Sequence, residues 1–154
     1  MNTLYANHSE IYEMMYKTFI NYDEEYKYYS NKLKKYNAES VIELGCGTGS
    51  LASRFMANRF KYTGVDLNKT MLAIAERKNQ GVEFIEADMR NFHLREKKQA
   101  CIIAGRTISY LMTYKDVIDS FMSIHTNLQE GGIICFDNID ARKFIPIIKN
   151  GKQI

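Results

Sequence analysis

The sequence predicts a doubly wound α/β domain built on a parallel sheet, preceded by a helical segment. Three observations carry this expectation. From Ala38 onward, short apolar runs alternate with helical patterns. A glycine-rich turn, Gly45-Cys46-Gly47-Thr48-Gly49, joins the first apolar run to the first of those helical patterns. Acidic residues stand at the ends of the second and third runs, at Asp66 and near Asp88. Strand and helix in alternation form βαβ units, and right-handed crossovers leave few topologies for a sheet covered on both faces.

Residues 1–37 differ from the rest and are read as a helical cover over a sheet domain spanning 38–154. Eight of the eleven tyrosines lie at or before Tyr36, and no glycine precedes Gly45. Ile11, Met14, Met15, Thr18 and Phe19 recur at helical spacing, which predicts an amphipathic helix over 9–20. Tyr22, Tyr26, Tyr29, Leu33 and Tyr36 form a second helical stripe. Within the sheet domain, residues 41–44 make a short strand ending at Gly45. Leu51, Ala52, Phe55 and Met56 mark a helix, and residues 62–65 a strand ending at Asp66. Met71, Leu72, Ile74 and Ala75 mark the next helix, followed by a strand over 82–85. Residues 100–104 form a fourth strand. Val117, Phe121, Ile124 and Leu128 mark a helix, Gly131-Gly132 a turn, and 133–136 a fifth strand, before an amphipathic tail over 141–149.

Composition narrows the function classes. A chain of 154 residues is the span of one domain, and 45% apolar with 25% charged residues is ordinary for a globular protein. No apolar run approaches the roughly 18 residues of a membrane span. The start, MNTLYANHSE, lacks the basic-then-apolar pattern of a secretory signal, so the expected location is cytoplasmic, with no membrane partner. A net charge of +3 is too small and too scattered to argue for nucleic acid. Cys46, Cys101 and Cys135 have no paired spacing, and His8, His93 and His125 are dispersed, so neither a disulfide framework nor a metal site is expected.

The glycine turn and its acids carry the chemistry. Glycines let the backbone turn tightly and let a ligand approach without meeting a Cβ. About twenty residues on, a carboxylate at a strand end can accept both hydroxyls of a ribose, which assigns that role to Asp66. Asp88 ends the third strand, close to where an adenine ring would lie. All three strand ends face one crevice at the switch point of such a sheet.

At these residues the chain resembles the class I S-adenosylmethionine-dependent methyltransferases. VIELGCGTGSLASRF is similar to their first motif, with acidic Glu43 two residues before G-x-G-x-G. GVDLNKTMLAIAERK resembles the second, whose Asp binds the cofactor ribose. FIEADMRNF resembles the third, whose acidic residue, here Asp88, faces the adenine amino group, with Met89 beside the ring, and LQEGGIICFD resembles the segment entering the fifth strand. Lys98-Gln99 replaces the family's frequent Phe-Asp, and Glu130 its Pro, at positions not expected to touch the cofactor. The resemblance implies a Rossmann-like sheet of order 3-2-1-4-5 and S-adenosylmethionine as cofactor. It implies cofactor contacts from Glu43, Gly45, Cys46, Gly47, Thr48, Gly49, Asp66, Leu67, Asp88, Met89 and Gly105. A helix starting near Thr48 is expected to aim backbone N–H groups at the methionyl carboxylate.

The start of the chain, HSEIYEMMYKTFINYDEEY, is similar to small-molecule N- and O-methyltransferases of the glycine and amino-sugar group. There a leading helix covers the cofactor, which implies that Tyr12 and Tyr16, four apart on one helical face, line the site. The expected partner is a small-molecule methyl acceptor. No general base is identified. Arg106, Ser109 and Tyr110 are expected to face the acceptor. The family carries two more strands beyond the fifth, so five strands here predict an exposed edge, with the chain either shortened or covered by a second protomer in a homodimer. Two other readings compete. A nicotinamide-dependent oxidoreductase would need glycine or alanine where Ser50 stands, and would leave Glu43 and Asp88 without a role. A cofactor-binding module without catalysis would share every feature of the donor site.

Overall fold

The computed structural model describes residues 20–140 and Arg142. The helix expected over 9–20, with Tyr12 and Tyr16, and most of the expected tail lie outside these residues. In chain order the elements are α1 (Tyr22–Lys35), β1 (Ser40–Leu44), α2 (Ala52–Ala57), β2 (Lys61–Asp66), α3 (Lys69–Lys78), β3 (Glu83–Glu86), β4 (Lys98–Ile103), a short 3-10 helix (Thr107–Tyr110), α4 (Tyr114–Asn127) and β5 (Leu128–Phe136).

The strands form one parallel sheet of order β3-β2-β1-β4-β5, the expected doubly wound arrangement. From β1 the chain winds outward through β2 and β3, then returns to β4 on the other side. The strand order therefore reverses beside β1, which opens a crevice at the C-terminal ends of β1 and β4. All five residues of β1 are buried, as befits the central strand of a sheet covered on both faces. Its side chains alternate between two cores. Val41 packs with Leu33, Phe55 and Tyr62 on one face, and Ile42 and Leu44 with Phe92, Ile103 and Ile124 on the other. Glu43 keeps the alternation and falls on the Val41 face, where burial makes a carboxylate costly.

Local chemistry fixes the helix ends. The Asn21 side chain accepts from the N–H groups of Asp23 and Glu24, and α1 carries acids in its first turn and lysines in its last. Tyr29 and Leu33 of its stripe are buried, while Tyr36 caps the helix and is exposed. Thr113 and Asp116 form a reciprocal capping box at the start of α4.

The structure departs from the sequence-based expectation in four places. The helix after the glycine turn starts at Ala52, not near Thr48. Gly47 (φ +53°) and Gly49 (φ +68°) cannot join a right-handed helix, so the segment turns through Gly49 N–H to Cys46 C=O (2.9 Å) and Ala52 N–H to Gly49 C=O (3.2 Å). Gly131-Gly132 is not a turn between elements but lies inside β5. There Lys98 faces Leu128 while Ala100 faces Ile133, so four β5 residues oppose Gln99 alone, and Gly131 takes the positive φ (+73°) that such a bulge requires. Leu128 opens β5 because α4 passes into the strand without a loop. Asp88 sits two residues beyond β3, in a turn closed by Asn91 N–H to its carbonyl at 2.9 Å.

Candidate functional site

Two glycines of the turn make room for protein and one does not. At Gly45 (φ +74°) a Cβ would lie 2.3 Å from Thr107 Cγ2, and its N–H donates to Val65 C=O at 2.7 Å. At Gly49 a Cβ would strike Asn79 and Ala75 of the α3 region. At Gly47 a Cβ would meet nothing within 4 Å, and the same holds at Gly105 (φ +65°), just past β4. Gly47 and Gly105 both line the crevice, which is open to solvent. Tyr22 and Glu25 of α1, Glu43, and Thr107 complete its walls.

The crevice has an acidic wall. Tyr62 Oη donates to Glu43 Oε2 at 2.5 Å inside the core. Burial pushes the Glu43 carboxyl up to about 8, against the Tyr62 hydrogen bond, and the nearby carboxylates of Glu25 and Asp66 add to the rise. Half-buried Glu25 is also raised, first by burial and then by Asp137. A cation in this crevice would relieve both groups.

Asp66 does two jobs of geometry at the end of β2. Its Oδ2 accepts from Gly47 N–H at 2.8 Å and its Oδ1 from Asn68 N–H at 2.8 Å, which ties the glycine turn to the strand end. Burial raises its carboxyl while those two bonds act in the opposite direction. A carboxylate offers about four lone-pair sites, so acceptor capacity remains for a further donor.

Of the residues singled out from the sequence, Glu43, Gly45, Cys46, Gly47, Thr48 and Gly105 meet around the crevice, and Asp66 reaches it through Gly47. Cys46 is buried against Gly64, where any Cβ would come within 2.8 Å of its Sγ, and burial pushes its thiol well above the ordinary range. Gly49 faces α3 rather than the crevice. Leu67 is exposed. Asp88 lies at the neighbouring strand end, bonded to Arg90, and Met89 packs against the core beneath it. Arg106 has a left-handed backbone (φ 62°) and donates its N–H to Asp137, while exposed Ser109 and Tyr110 sit on the 3-10 helix.

Sequence reasoning missed Glu25, Tyr62, Arg90 and Thr107. For Glu25 a signal existed, because it lies three residues after Tyr22 and four before Tyr29 on the same helical stripe. Among the described residues, no group of three or more His, Cys, Asp or Glu side chains is arranged to hold a metal ion, and no helix is long and apolar enough to cross a membrane.

Comparison with known proteins bears on this geometry. A family described as a methyltransferase domain matches residues 41–132. A protein of Geobacillus sp. (strain WCH70) named as a methyltransferase is 33% identical over 123 residues, covering 75% of this chain and 50% of that protein. The dTDP-3-amino-3,4,6-trideoxy-alpha-D-glucopyranose N,N-dimethyltransferase of Streptomyces venezuelae is 27% identical over 97 residues, or 63% of this chain and 41% of its own. This chain thus spans half or less of the length of these curated relatives. The solved structure of CalS10, an amino pentose methyltransferase from Micromonospora echinaspora with S-adenosylmethionine bound, superposes with a TM-score of 0.77 at 24% identity, over 84% of this chain and 56% of that one, a likeness of fold. With its 3-2-1-4-5 parallel sheet and a family match over more than half its length, this chain belongs to the S-adenosylmethionine-dependent methyltransferases.

Proposed function

We propose that the crevice binds S-adenosylmethionine and serves methyl transfer to a nitrogen or oxygen of a small molecule. The observation that carries this reading is the open space where Gly47 and Gly105 lack a Cβ, both lining a crevice that also holds buried Glu43 and half-buried Glu25. Such a cradle accepts a ligand against bare backbone, and its acids suit a ligand with cationic ends.

In this reading Glu43 faces the cationic methionyl end, Gly45 through Thr48 and Gly105 offer backbone to it, and Asp66 accepts from the ribose hydroxyls. Asp88, Met89 and Leu67 border the adenine, Gly49 shapes the turn from behind, and Tyr12 and Tyr16 cover the sulfonium. The bound cofactor supplies a methyl group on positively charged sulfur, already activated for transfer. What the chain must add is placement and exclusion of water, a proximity effect worth several kcal/mol. The relative acting on an amino sugar supports a small amine-bearing acceptor, for which no strong base is required once the amine is neutral.

Titration calorimetry tests the donor site: S-adenosylhomocysteine is expected to bind at micromolar strength and NAD not at all. Binding of NAD alone would overturn the assignment. A panel of amines, amino acids, nucleotide sugars and phenols, scored for conversion of donor to S-adenosylhomocysteine, tests the transfer separately. Binding without any turnover would restrict this chain to the donor half of the reaction.

A further inference from the structure

Tyr22 and Glu25, which line the crevice, lie in the first turn of α1, whereas the buried residues of that helix, Tyr29, Ser30 and Leu33, lie in its second half. The Arg54 side chain, on α2, reaches back to that first turn. Its Nε donates to Asp23 Oδ1 at 2.6 Å, and its Cζ stands 5.9 Å from the centre of the Tyr22 ring, within reach of a cation–π attraction. Its Nη1 donates to Ser50 C=O at 2.8 Å, at the end of the glycine turn. The Arg54 backbone N–H goes to Leu51 C=O instead, at 3.1 Å, so the side chain satisfies a carbonyl that the helix ladder does not. Ser50 lines the crevice as Tyr22 does, and one guanidinium thus ties two of its walls. Further along α1, Tyr26 sits edge-on to Phe55 with 5.1 Å between ring centres, a contact between α1 and α2 that does not involve Arg54.

We propose that Arg54 is a positioning residue for the donor: it holds the first turn of α1 against the glycine turn, so that Tyr22 and Glu25 close the part of the crevice that takes the amino-acid end. The inference rests on reading the crevice as the S-adenosylmethionine site. The wall carries its own repulsion. Burial and then Asp137 raise the Glu25 carboxyl, and Glu25 in turn adds to the rise of Glu43. Without a tie, the first turn of α1 would carry Glu25 away from these acids toward solvent, and a ligand would have to reorder it on binding. Asp23 is 79% exposed, and an ion pair at such a position adds little to stability. A guanidinium that served only to pin α1 to α2 would treat every ligand of the crevice alike.

The experiment measures dissociation constants of S-adenosylhomocysteine and of 5′-methylthioadenosine, which has the same nucleoside and thioether but no amino-acid end. Calorimetry is run on the wild-type chain and on Arg54→Met, Asp23→Asn and Asp66→Asn. Wild type is expected to prefer S-adenosylhomocysteine by roughly 10-fold or more, the size of a charge-assisted contact at that end. Arg54→Met should weaken S-adenosylhomocysteine by about three- to tenfold, while 5′-methylthioadenosine stays within about 1.5-fold. Asp23→Asn, at an exposed position, should show the same selective loss at about two- to threefold, and it carries the test if Arg54→Met does not fold. Asp66→Asn should weaken both ligands alike, since both carry the ribose. Equal losses for the two ligands in the Arg54 and Asp23 variants, or no loss for either, overturn the inference while the donor site stands. So does a wild type that binds both ligands equally. Failure of wild type to bind S-adenosylhomocysteine overturns the site itself, and the inference with it.

Discussion

On the β1–β2 side of the crevice, polar groups are buried and partnered. Glu43 meets Tyr62, Asp66 meets Gly47 and Asn68, and Asn79 donates to the Gly49 and Ala75 carbonyls at 3.2 and 2.9 Å. On the β4–α4 side, large apolar groups face solvent. Tyr114 is 92% exposed, Ile118 58% and Met122 65%, and these three recur every four residues along one face of α4. Phe136 stands exposed at the end of β5, which has no strand on its outer side among the described residues. The first side is shaped from within, each group fixed by another. The second offers an apolar strip of the kind that marks an interaction surface, beside an edge able to pair with another strand. The crevice draws on Gly105 and Thr107 past β4 but on none of the exposed α4 side chains, so it is expected to work independently of whatever meets that strip.

The sharpest way to break this contrast is within the glycine turn. Gly45→Ala forces a Cβ onto Thr107 at positive φ and is expected to destabilise the fold by about 2–4 kcal/mol, through overpacking and backbone strain together. Gly47→Ala meets no protein atom, so its cost to stability is only the strain, about 1–2 kcal/mol, while S-adenosylhomocysteine affinity falls more than about 100-fold. Thermal melts and calorimetry on both variants check this. Equal behaviour would mean that Gly47 does not face a ligand.

Next in size is Asp66→Ala, expected to lower cofactor affinity roughly 10- to 150-fold by removing charge-assisted hydrogen bonds. The variant also frees the Gly47 N–H, so part of the loss should appear as loosening of the turn, visible by hydrogen exchange.

Glu43→Gln sharpens the comparison through pH. The folded Glu43 carboxyl keeps its proton up to about 8, against an ordinary value of 4.5. Between these values the folded state binds more protons than the unfolded one, so this group's contribution to stability falls as pH rises through the window. The neutral amide removes that dependence. Melting temperatures of the two proteins at pH 5, 7 and 9 should therefore diverge, with Glu43→Gln gaining relative to wild type as pH increases. Glu25 and Asp66 remain in both proteins, and their repulsion with an ionised Glu43 is absent from the variant, which adds to its gain at high pH. Parallel curves would show that Glu43 is ionised in the folded chain.

The smallest effect is expected on the far side. Ile118→Lys combined with Met122→Lys should leave stability within about 0.5 kcal/mol and cofactor affinity unchanged, because neither side chain is buried. Light scattering should show less self-association than for wild type. A large loss of stability would mean that the strip is already covered within the chain.

Much of this was legible in the sequence because strand ends and tight turns announce themselves. The places of Glu43, Gly47 and Asp66 beside the crevice were readable since each follows from position at a strand end or in the turn after it. The start of β5 was not, because a bulge and a loop both call for glycine at positive φ, and Leu128 continues the spacing of Ile124 into the strand. Glu25 was hidden within Asp23-Glu24-Glu25, acids that equally suit a helix N-terminus. The link from Arg90 to Asp116 spans 26 positions, a separation that only the folded sheet brings together.

The bond from Gly47 to Asp66 also bears on how fast a ligand is captured. A glycine turn free in solution would sample many shapes, and a ligand would have to wait for the right one. Here the turn is fastened to β2 through its own backbone before any ligand arrives. Such a tether shortens the waiting step and leaves less ordering entropy to lose at the moment of contact. Binding rates at the donor site should accordingly rise in proportion to ligand concentration without reaching a plateau set by loop motion, and the off-rate should carry most of the difference between one ligand and the next.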